Sequence, residues 1–137
     1  MRVFALLSVA LLLAAAGVTA ATPGSHFLNA HAADVSQIVD QVESNRLVAL
    51  RYARHFGVEP SSVLQYIKTE LGVSTLGEDT SLDVYTIDES RNIVRSTVLL
   101  KAGAKVFANS KGVPVLTYGT GNPMTATLRS DSVLATR

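Results

Sequence analysis

Apolar residues recur every three or four positions in three consecutive stretches between residues 34 and 72, a period that predicts three short amphipathic helices. The three apolar stripes are Val35, Ile38, Val39 and Val42; Ala49, Leu50, Ala53 and Phe56; and Val63, Leu64, Ile67 and Leu71. Asp34 is placed to cap the first helix and Gly57 to end the second, while Pro60 and Gly72 begin and end the third. The region therefore predicts a small three-helix bundle.

After Gly72 the pattern changes to alternating residues and to runs of β-branched residues, which are typical of strands. The predicted strands are residues 83–88, 93–100, 105–108 and 113–118. The polar residues 89–92 predict a hairpin turn, and Pro114 favours an edge position for the last strand because proline cannot donate a hydrogen bond to a neighbour. We expect a small antiparallel β-meander within about 82–118.

The first 20 residues have the three parts of a signal peptide: one basic residue, Arg2, then an uncharged apolar run, then small residues before Ala20. We expect cleavage near Ala20 and a periplasmic or secreted protein; retention of the segment as an uncleaved anchor stays open. Residues 21–33 predict a flexible lead-in, and docking of its two apolar residues, Phe27 and Leu28, onto the domain stays open.

The remaining chain predicts one α+β domain over residues 34–123, with the helices of 34–72 packed on the meander. Aromatic residues occur in both parts, which indicates one shared core. Residues 124–137 are polar and weakly patterned, so they predict a frayed tail or one additional strand.

The chain contains no cysteine. This excludes thiol catalysis, a disulfide framework and lipid attachment at a cysteine. Small exported eukaryotic domains usually depend on disulfides, so an exported bacterial protein is the better expectation.

The net charge of +1 conceals a polarised distribution. Residues 22–90 contain four basic and ten acidic residues, whereas residues 91–137 contain seven basic residues and one acidic residue. We therefore expect a basic surface on the β-module, formed by Arg91, Arg95, Lys101, Lys105 and Lys111, with Gly119, Thr120, Gly121 and Asn122 as an adjacent loop. Such a surface favours an anionic envelope glycan, a lipid or an acidic protein as the partner. The open alternative is that acidic helices and basic strands only pack against each other.

Residues 50–67 resemble a helix-turn-helix, with Ala53, Gly57, Val58 and Val63 at the characteristic offsets. The second helix would then present Ser61, Ser62, Gln65 and Lys68 to DNA. Export and the single cation of that helix make nucleic-acid binding an unfavoured alternative, which requires the leader to be an anchor. The same residues also resemble the helical half of the LysM glycan-binding module, but its preceding strand is missing.

Residues 100–123 resemble the C-terminal half of small, functionally uncharacterised exported bacterial proteins. The matching residues are Leu100, Gly103, Val106, Phe107, Ala108, Gly112, Pro114, Val115, Leu116, Gly121, Asn122 and Pro123. Those proteins often have a cysteine before the final Gly-Asn-Pro, where this chain has Thr120. The resemblance implies a shared fold and location without an activity, and the glycines and Asn-Pro favour turns over a ligand loop.

The sequence contains neither a G-x-S-x-G nor an S-x-x-K motif, and we expect no catalytic residues, no cofactor and no metal site. His26 and His31, with Asp34 nearby, could hold a metal only if the lead-in became ordered. His55 lies near a helix C-terminus, where a partly charged imidazole is favourable. The preferred hypothesis is a non-catalytic binding module; the alternatives are an enzyme and a structural partner of another exported protein, with an open edge near residues 113–118.

Overall fold

The structure is a computed structural model of the 137-residue chain, and it describes residues 25–128. The predicted signal peptide at 1–20 and the last residues of the predicted tail, 129–137, lie outside the described residues. Within the described part, no helix is long and apolar enough to span a membrane.

Three helices come first, in the predicted order: α1 (Val35–Ser44), α2 (Arg46–Phe56) and α3 (Pro60–Glu70). The Asp34 side chain accepts a hydrogen bond from the backbone N–H of Gln37 at 3.0 Å and so caps α1. Asn45 separates α1 from α2 and caps the second helix by accepting from the backbone N–H groups of Leu47 and Val48.

The ends of α2 and α3 are formed differently. Gly57 adopts a left-handed conformation, φ 68°, and its backbone N–H donates to the carbonyl of Ala53. Pro60 begins α3 as predicted, but the helix ends at Glu70 because Leu71 is already extended. Gly72 is therefore the first residue of a strand, where the sequence predicted a helix end.

Five strands follow: β1 (Gly72–Thr75), β2 (Thr80–Ile87), β3 (Ile93–Leu100), β4 (Lys105–Ala108) and β5 (Pro114–Thr117). The α+β class, with three helices followed by antiparallel strands, is confirmed. The strands divide between a hairpin of β2 and β3 and a three-stranded sheet in the order β1-β4-β5. Pro114 lies on β5, the last strand in the order of this sheet, as predicted, although a bridge of Leu116 with Pro123 covers part of its outer side.

The main core joins helices and strands through aromatic rings. Tyr52, Phe27 and Phe107 are fully buried, and the ring centroids of Phe27 and Tyr52 are 5.2 Å apart. One cluster of buried residues contains members of all three helices and of both sheets, so the expected shared core is present. A second, smaller cluster contains Val84, Val106, Ala108 and Met124.

The segment predicted as a flexible lead-in packs into this core over residues 25–33. Phe27 and Leu28 are buried, and the backbone N–H of Phe27 donates to the side-chain oxygen of Asn122 at 2.9 Å. Ala32 pairs with Gly119 as an isolated bridge. Docking of Phe27 and Leu28, which the sequence left open, is therefore what the structure describes for this segment, with burial of the two side chains favouring it.

Candidate functional site

The five basic residues predicted as one contact surface are distributed over both sheets. Arg95 lies on β3 opposite Tyr85 of β2. The Lys101 ammonium is 2.8 Å from the carboxylate of Asp79, an exposed salt bridge. Arg91 is the one member of this set that lines a cleft with other arginines.

The two remaining lysines lie on the three-stranded sheet. Lys105 begins β4, and its ammonium lies 5.3 Å from the ring centroid of Tyr118. Lys111 is exposed in the turn between β4 and β5, where its backbone N–H donates to Asn109. The structure therefore separates these lysines from the Arg91 cleft.

Residues 119–122, predicted as an adjacent loop, are held against the N-terminal segment and α2. The buried hydroxyl of Tyr52 donates to the carbonyl of Gly121 at 2.5 Å. Gly121 has φ +65°, and a Cβ placed there would lie 2.5 Å from Leu28 Cγ. Asn122 is 4% exposed. This packing gives the loop a structural role, and its part in a ligand surface stays a prediction.

Three arginines line a cleft between α2 and the turn that joins β2 to β3. The cleft has a volume of about 580 Å³ and contains Arg51 and Arg54 from α2 and Arg91 from the turn. Its apolar lining comprises Phe27, Leu47, Ile87 and Ile93. This site was not predicted from the sequence, because Arg51 and Arg54 lie in the net acidic stretch 22–90, whereas Arg91 lies in the net basic stretch 91–137.

Arg51 is fixed in the cleft by hydrogen bonds. Its Nη1 donates to the carbonyl of Phe27 at 3.0 Å and to Oδ1 of Asn29 at 2.8 Å. Burial, and secondly the positive charge of Arg91, lower the pKa of Arg51. The electrostatic effect of Arg91 on Arg51 indicates that the two guanidinium groups repel each other across the cleft.

Two carboxylates also line the cleft, those of Asp88 and Glu89. Asp88 Oδ1 accepts hydrogen bonds from the backbone N–H groups of Ser90 and Asn92, at 2.9 and 2.8 Å, which commits it to the turn. Among residues 25–128 the salt bridges are Lys68 with Glu43 and Lys101 with Asp79, so no described carboxylate lies within salt-bridge distance of the three arginines.

The backbone of the turn places Arg91 in an unusual conformation. Within the described chain, Arg91 is the single residue other than glycine with a positive φ, 69°. A left-handed conformation costs a residue with a Cβ roughly 1–2 kcal/mol. Strain of this kind persists only where the surrounding structure holds it, and here the turn does so through the hydrogen bonds from Asp88 N–H to Asn92 and from Arg91 N–H to Asp88.

The histidines have structural partners. Nδ1 of His26 is 3.2 Å from the side-chain nitrogen of Asn122, and the His31 ring contacts that of Tyr118 with centroids 5.6 Å apart. The residues described here contain no group of three histidine, aspartate or glutamate side chains able to hold a metal. The Asp34 carboxylate caps α1 and is therefore engaged there rather than in a metal site with His26 and His31.

His55 is half-buried between α2 and β2. Its Nε2 is 2.9 Å from the carbonyl of Thr125, and its ring centroid is 4.5 Å from that of Tyr85. Burial lowers the pKa of His55 more than the Thr125 contact raises it. The neutral imidazole is thus favoured, in contrast to the expectation of a partly charged ring.

The helix-turn-helix and LysM resemblances differ from the observed arrangement. The α3 face that would approach DNA lines a groove together with Thr127 and Leu128, and its cation Lys68 is 3.2 Å from Glu43. In LysM a strand precedes the first helix of the pair, whereas here α1 precedes α2.

The predicted open edge near residues 113–118 is already paired. The backbone N–H of Met124 donates to Val115 at 2.7 Å, and that of Thr117 donates to Asn122 at 2.8 Å. Exposed aliphatic side chains occur instead on β3, at Val94, Val98 and Leu99.

Fold and cleft together define a small α+β domain with a cleft lined by three arginines and two carboxylates. A family model matches residues 16–137, and the chain belongs to that family, described as Domain of unknown function (DUF6777). This match confirms the expectation of an uncharacterised domain family. Comparisons with curated proteins and with solved structures found no match.

Proposed function

We propose that this protein is an exported, non-catalytic binding module for an anionic ligand, and that the arginine cleft is its binding site. The observation that supports the proposal is the convergence of Arg51, Arg54 and Arg91 on one cleft without a described carboxylate in salt-bridge distance. Three like charges in one cleft repel each other, and Asp88 and Glu89 offset this only in part because neither forms a salt bridge with the arginines; an anion between the guanidinium groups would offset the repulsion further.

The guanidinium group favours two chemical classes of ligand. Its planar arrangement of donors matches carboxylate and phosphate oxygens, which it binds with two parallel hydrogen bonds. The volume of about 580 Å³ is in the usual range for small-molecule sites. The apolar wall formed by Leu47 and Ile93 would contact the uncharged part of the ligand, such as the carbon framework of a sugar.

Titration calorimetry with charged and neutral sugar derivatives tests the proposal. Glucuronate and glycerol phosphate supply the two anionic groups, and glucose and glycerol are their neutral counterparts. We expect heat of binding with the two anions and none with their neutral counterparts, and we expect the binding to weaken as ionic strength rises. Equal responses to charged and neutral probes, or no response to either anion, would contradict the proposal.

The variant Arg54→Gln/Arg91→Gln removes two cations from the cleft and should lower anion affinity at least tenfold. Arg51 is excluded from this variant because its hydrogen bonds fix the N-terminal segment. Lys105→Gln/Lys111→Gln removes the same charge at exposed positions outside the cleft and is the matched control. Similar losses in both variants would indicate nonspecific attraction to the basic surface.

Export rests on the sequence of the first 20 residues and is tested separately. The intact mass of the protein recovered from cytoplasmic, membrane and extracytoplasmic fractions should identify an extracytoplasmic chain that begins at Ala21 or Thr22. Full-length protein in the membrane with its domain facing the cytoplasm would contradict export and make DNA binding the next assay.

A further inference from the structure

Among the described residues 25–128, the strand β3 has an open edge on the side away from β2. Its hairpin partner β2 is bonded on both sides, since the backbone N–H of Tyr85 donates to Pro123 at 2.9 Å and that of Ile87 donates to Ser25 at 3.0 Å. In the described chain β3 pairs with β2 alone. Its residues 94–99 are all exposed, and Leu99 is 56% exposed. Such an edge can accept another strand.

The hairpin register identifies which backbone groups of β3 point outward. In β2 the odd-numbered residues Tyr85 and Ile87 direct their N–H groups away from β3. Their even-numbered neighbours therefore bond to β3, and Val84 lies opposite Ser96. Because even positions of β3 face β2, the odd positions must direct their N–H and C=O groups to the open side. These positions are Ile93, Arg95, Thr97 and Leu99.

We propose that two copies of this chain associate by antiparallel pairing of their β3 strands about a two-fold axis at Ser96. In this register Arg95 lies opposite Thr97 of the second copy and Ile93 lies opposite Leu99. The outward N–H and C=O groups of all four odd positions then find partners, and Ser96 faces its own equivalent as a pair without mutual hydrogen bonds.

Side-chain chemistry favours this register over its two neighbours. With the axis at Ser96, Val94 of each copy lies opposite Val98 of the other, an apolar pair on both sides of the axis. An axis at Arg95 would place two guanidinium groups directly opposite each other, which is destabilising. An axis at Thr97 would place Arg95 opposite Leu99 and would remove the pairing of Val94 with Val98.

Charge complementarity between Asp83 and Arg95 favours a second copy of this chain as the partner of the open β3 edge. Thr97 lies opposite Asp83 within the hairpin, and its hydroxyl donates to the Asp83 carboxylate at 3.1 Å. In the pairing about Ser96, Arg95 of the second copy lies beside Thr97, on the same face of the sheet as Thr97 and Asp83. The arginine side chain is long enough to reach past Thr97 to the Asp83 carboxylate. The two-fold axis creates this contact twice.

Single cysteines test the register without background, because the chain has none. In Ser96→Cys the two thiols would lie on the axis, with Cα atoms about 4.5 Å apart, within the range of a disulfide. Val94→Cys is the matched control: its two Cα atoms would be more than about 10 Å apart along the strands. Thr97→Cys reports the neighbouring register.

Full chains carrying each cysteine are expressed in cells, oxidised, and separated on non-reducing gels. We expect a homodimer with Ser96→Cys and at least tenfold less with Val94→Cys and Thr97→Cys. Dimers that form equally with all three cysteines, or mainly with Thr97→Cys, would overturn the proposed register. A Ser96→Cys adduct with a different protein, or no adduct, would overturn self-association.

A charge exchange tests the ionic contact independently of cysteine. Arg95→Glu places a negative charge beside Asp83 of the second copy and should shift sedimentation equilibrium to the monomer. Asp83→Arg/Arg95→Glu should restore the dimer. Failure of the double variant to restore it, while its circular dichroism matches that of the unchanged protein, would contradict the Asp83 contact and the register that creates it.

Discussion

Substitution of Gly121 by alanine tests whether the loop before Pro123 is fixed by packing. Gly121 and Gly112 both have positive φ, at +65° and +82°. They differ in their surroundings: a Cβ at Gly121 would lie 2.5 Å from Leu28 Cγ and from Tyr52 Oη, whereas a Cβ at Gly112 would meet nothing within 4 Å. The pair therefore separates backbone strain from steric packing.

The expected costs follow from this difference. Gly112→Ala should lose about 1–2 kcal/mol of unfolding free energy, the cost of a left-handed alanine. Gly121→Ala should lose a similar amount and, in addition, about 1–3 kcal/mol for overpacking against Leu28 and Tyr52. Tyr52 has little freedom to move, because it is fully buried and stacked near Phe56.

Urea unfolding followed by far-ultraviolet circular dichroism is the appropriate assay, because the chain has no tryptophan. With a slope of roughly 1–3 kcal/mol per molar urea for a small protein, the additional loss in Gly121→Ala should lower the midpoint by about 1 M beyond that of Gly112→Ala. Equal midpoints for the two variants would refute the packing argument, and would show that the N-terminal segment yields to a Cβ at little cost.

Three further predictions concern buried polar groups and the strained turn. Tyr52→Phe should lower the unfolding free energy by about 1–3 kcal/mol, because the Gly121 carbonyl loses its buried donor; an unchanged urea midpoint would contradict this. Burial lowers the pKa of His26 and of His55 from 6.5, so the unfolded chain binds more protons as the pH falls below that value. Stability should be highest above pH 6.5 and fall toward pH 5, and His55→Gln should reduce the difference between midpoints at pH 7.5 and 5.5. Arg91→Gly relieves the positive φ, so it should leave thermal stability undiminished while weakening glucuronate binding in calorimetry; a loss of stability would show that the side chain is structural.

The helices could be predicted closely because their determinants are local. The helix ends at Asp34, Gly57 and Pro60 each depend on backbone groups within one turn of the chain. The strand Lys105–Ala108 was also predicted with its observed bounds, since turns flank it on both sides. Boundaries that depend on neighbouring residues alone are accessible to a sequence pattern.

Elements that depend on distant partners were missed. The strand Gly72–Thr75 is too short to show a period, and it exists because it pairs with Lys105–Ala108. The lead-in was predicted to be flexible because the segment has no sustained periodicity, and docking of its two apolar residues was left open. Phe27 is nevertheless fixed by Asn122, which lies 95 positions away in the sequence.

The candidate cleft could not be predicted for the same physical reason. Arg51 and Arg91 belong to stretches of opposite net charge, so a division of the chain by charge placed them on different surfaces. Their proximity comes from the packing of α2 against the hairpin turn. Counting charges along the chain predicts a charged surface only where each stretch of sequence forms its own face of the domain.

The segment from Gly119 to Pro123 explains why a recognisable motif need not identify a ligand site. Asn122 accepts the Phe27 N–H through its side chain, while its backbone N–H donates to Thr117 and its carbonyl accepts from Thr117. One asparagine thus connects the N-terminal segment to β5, and Gly121 beside it leaves room for Leu28 and Tyr52. Because these residues are held by packing, the proposed ligand and partner are better sought elsewhere. The arginine cleft has no described carboxylate in salt-bridge distance of its guanidinium groups, and β3 has unpaired backbone groups in the described chain, so these two places come first.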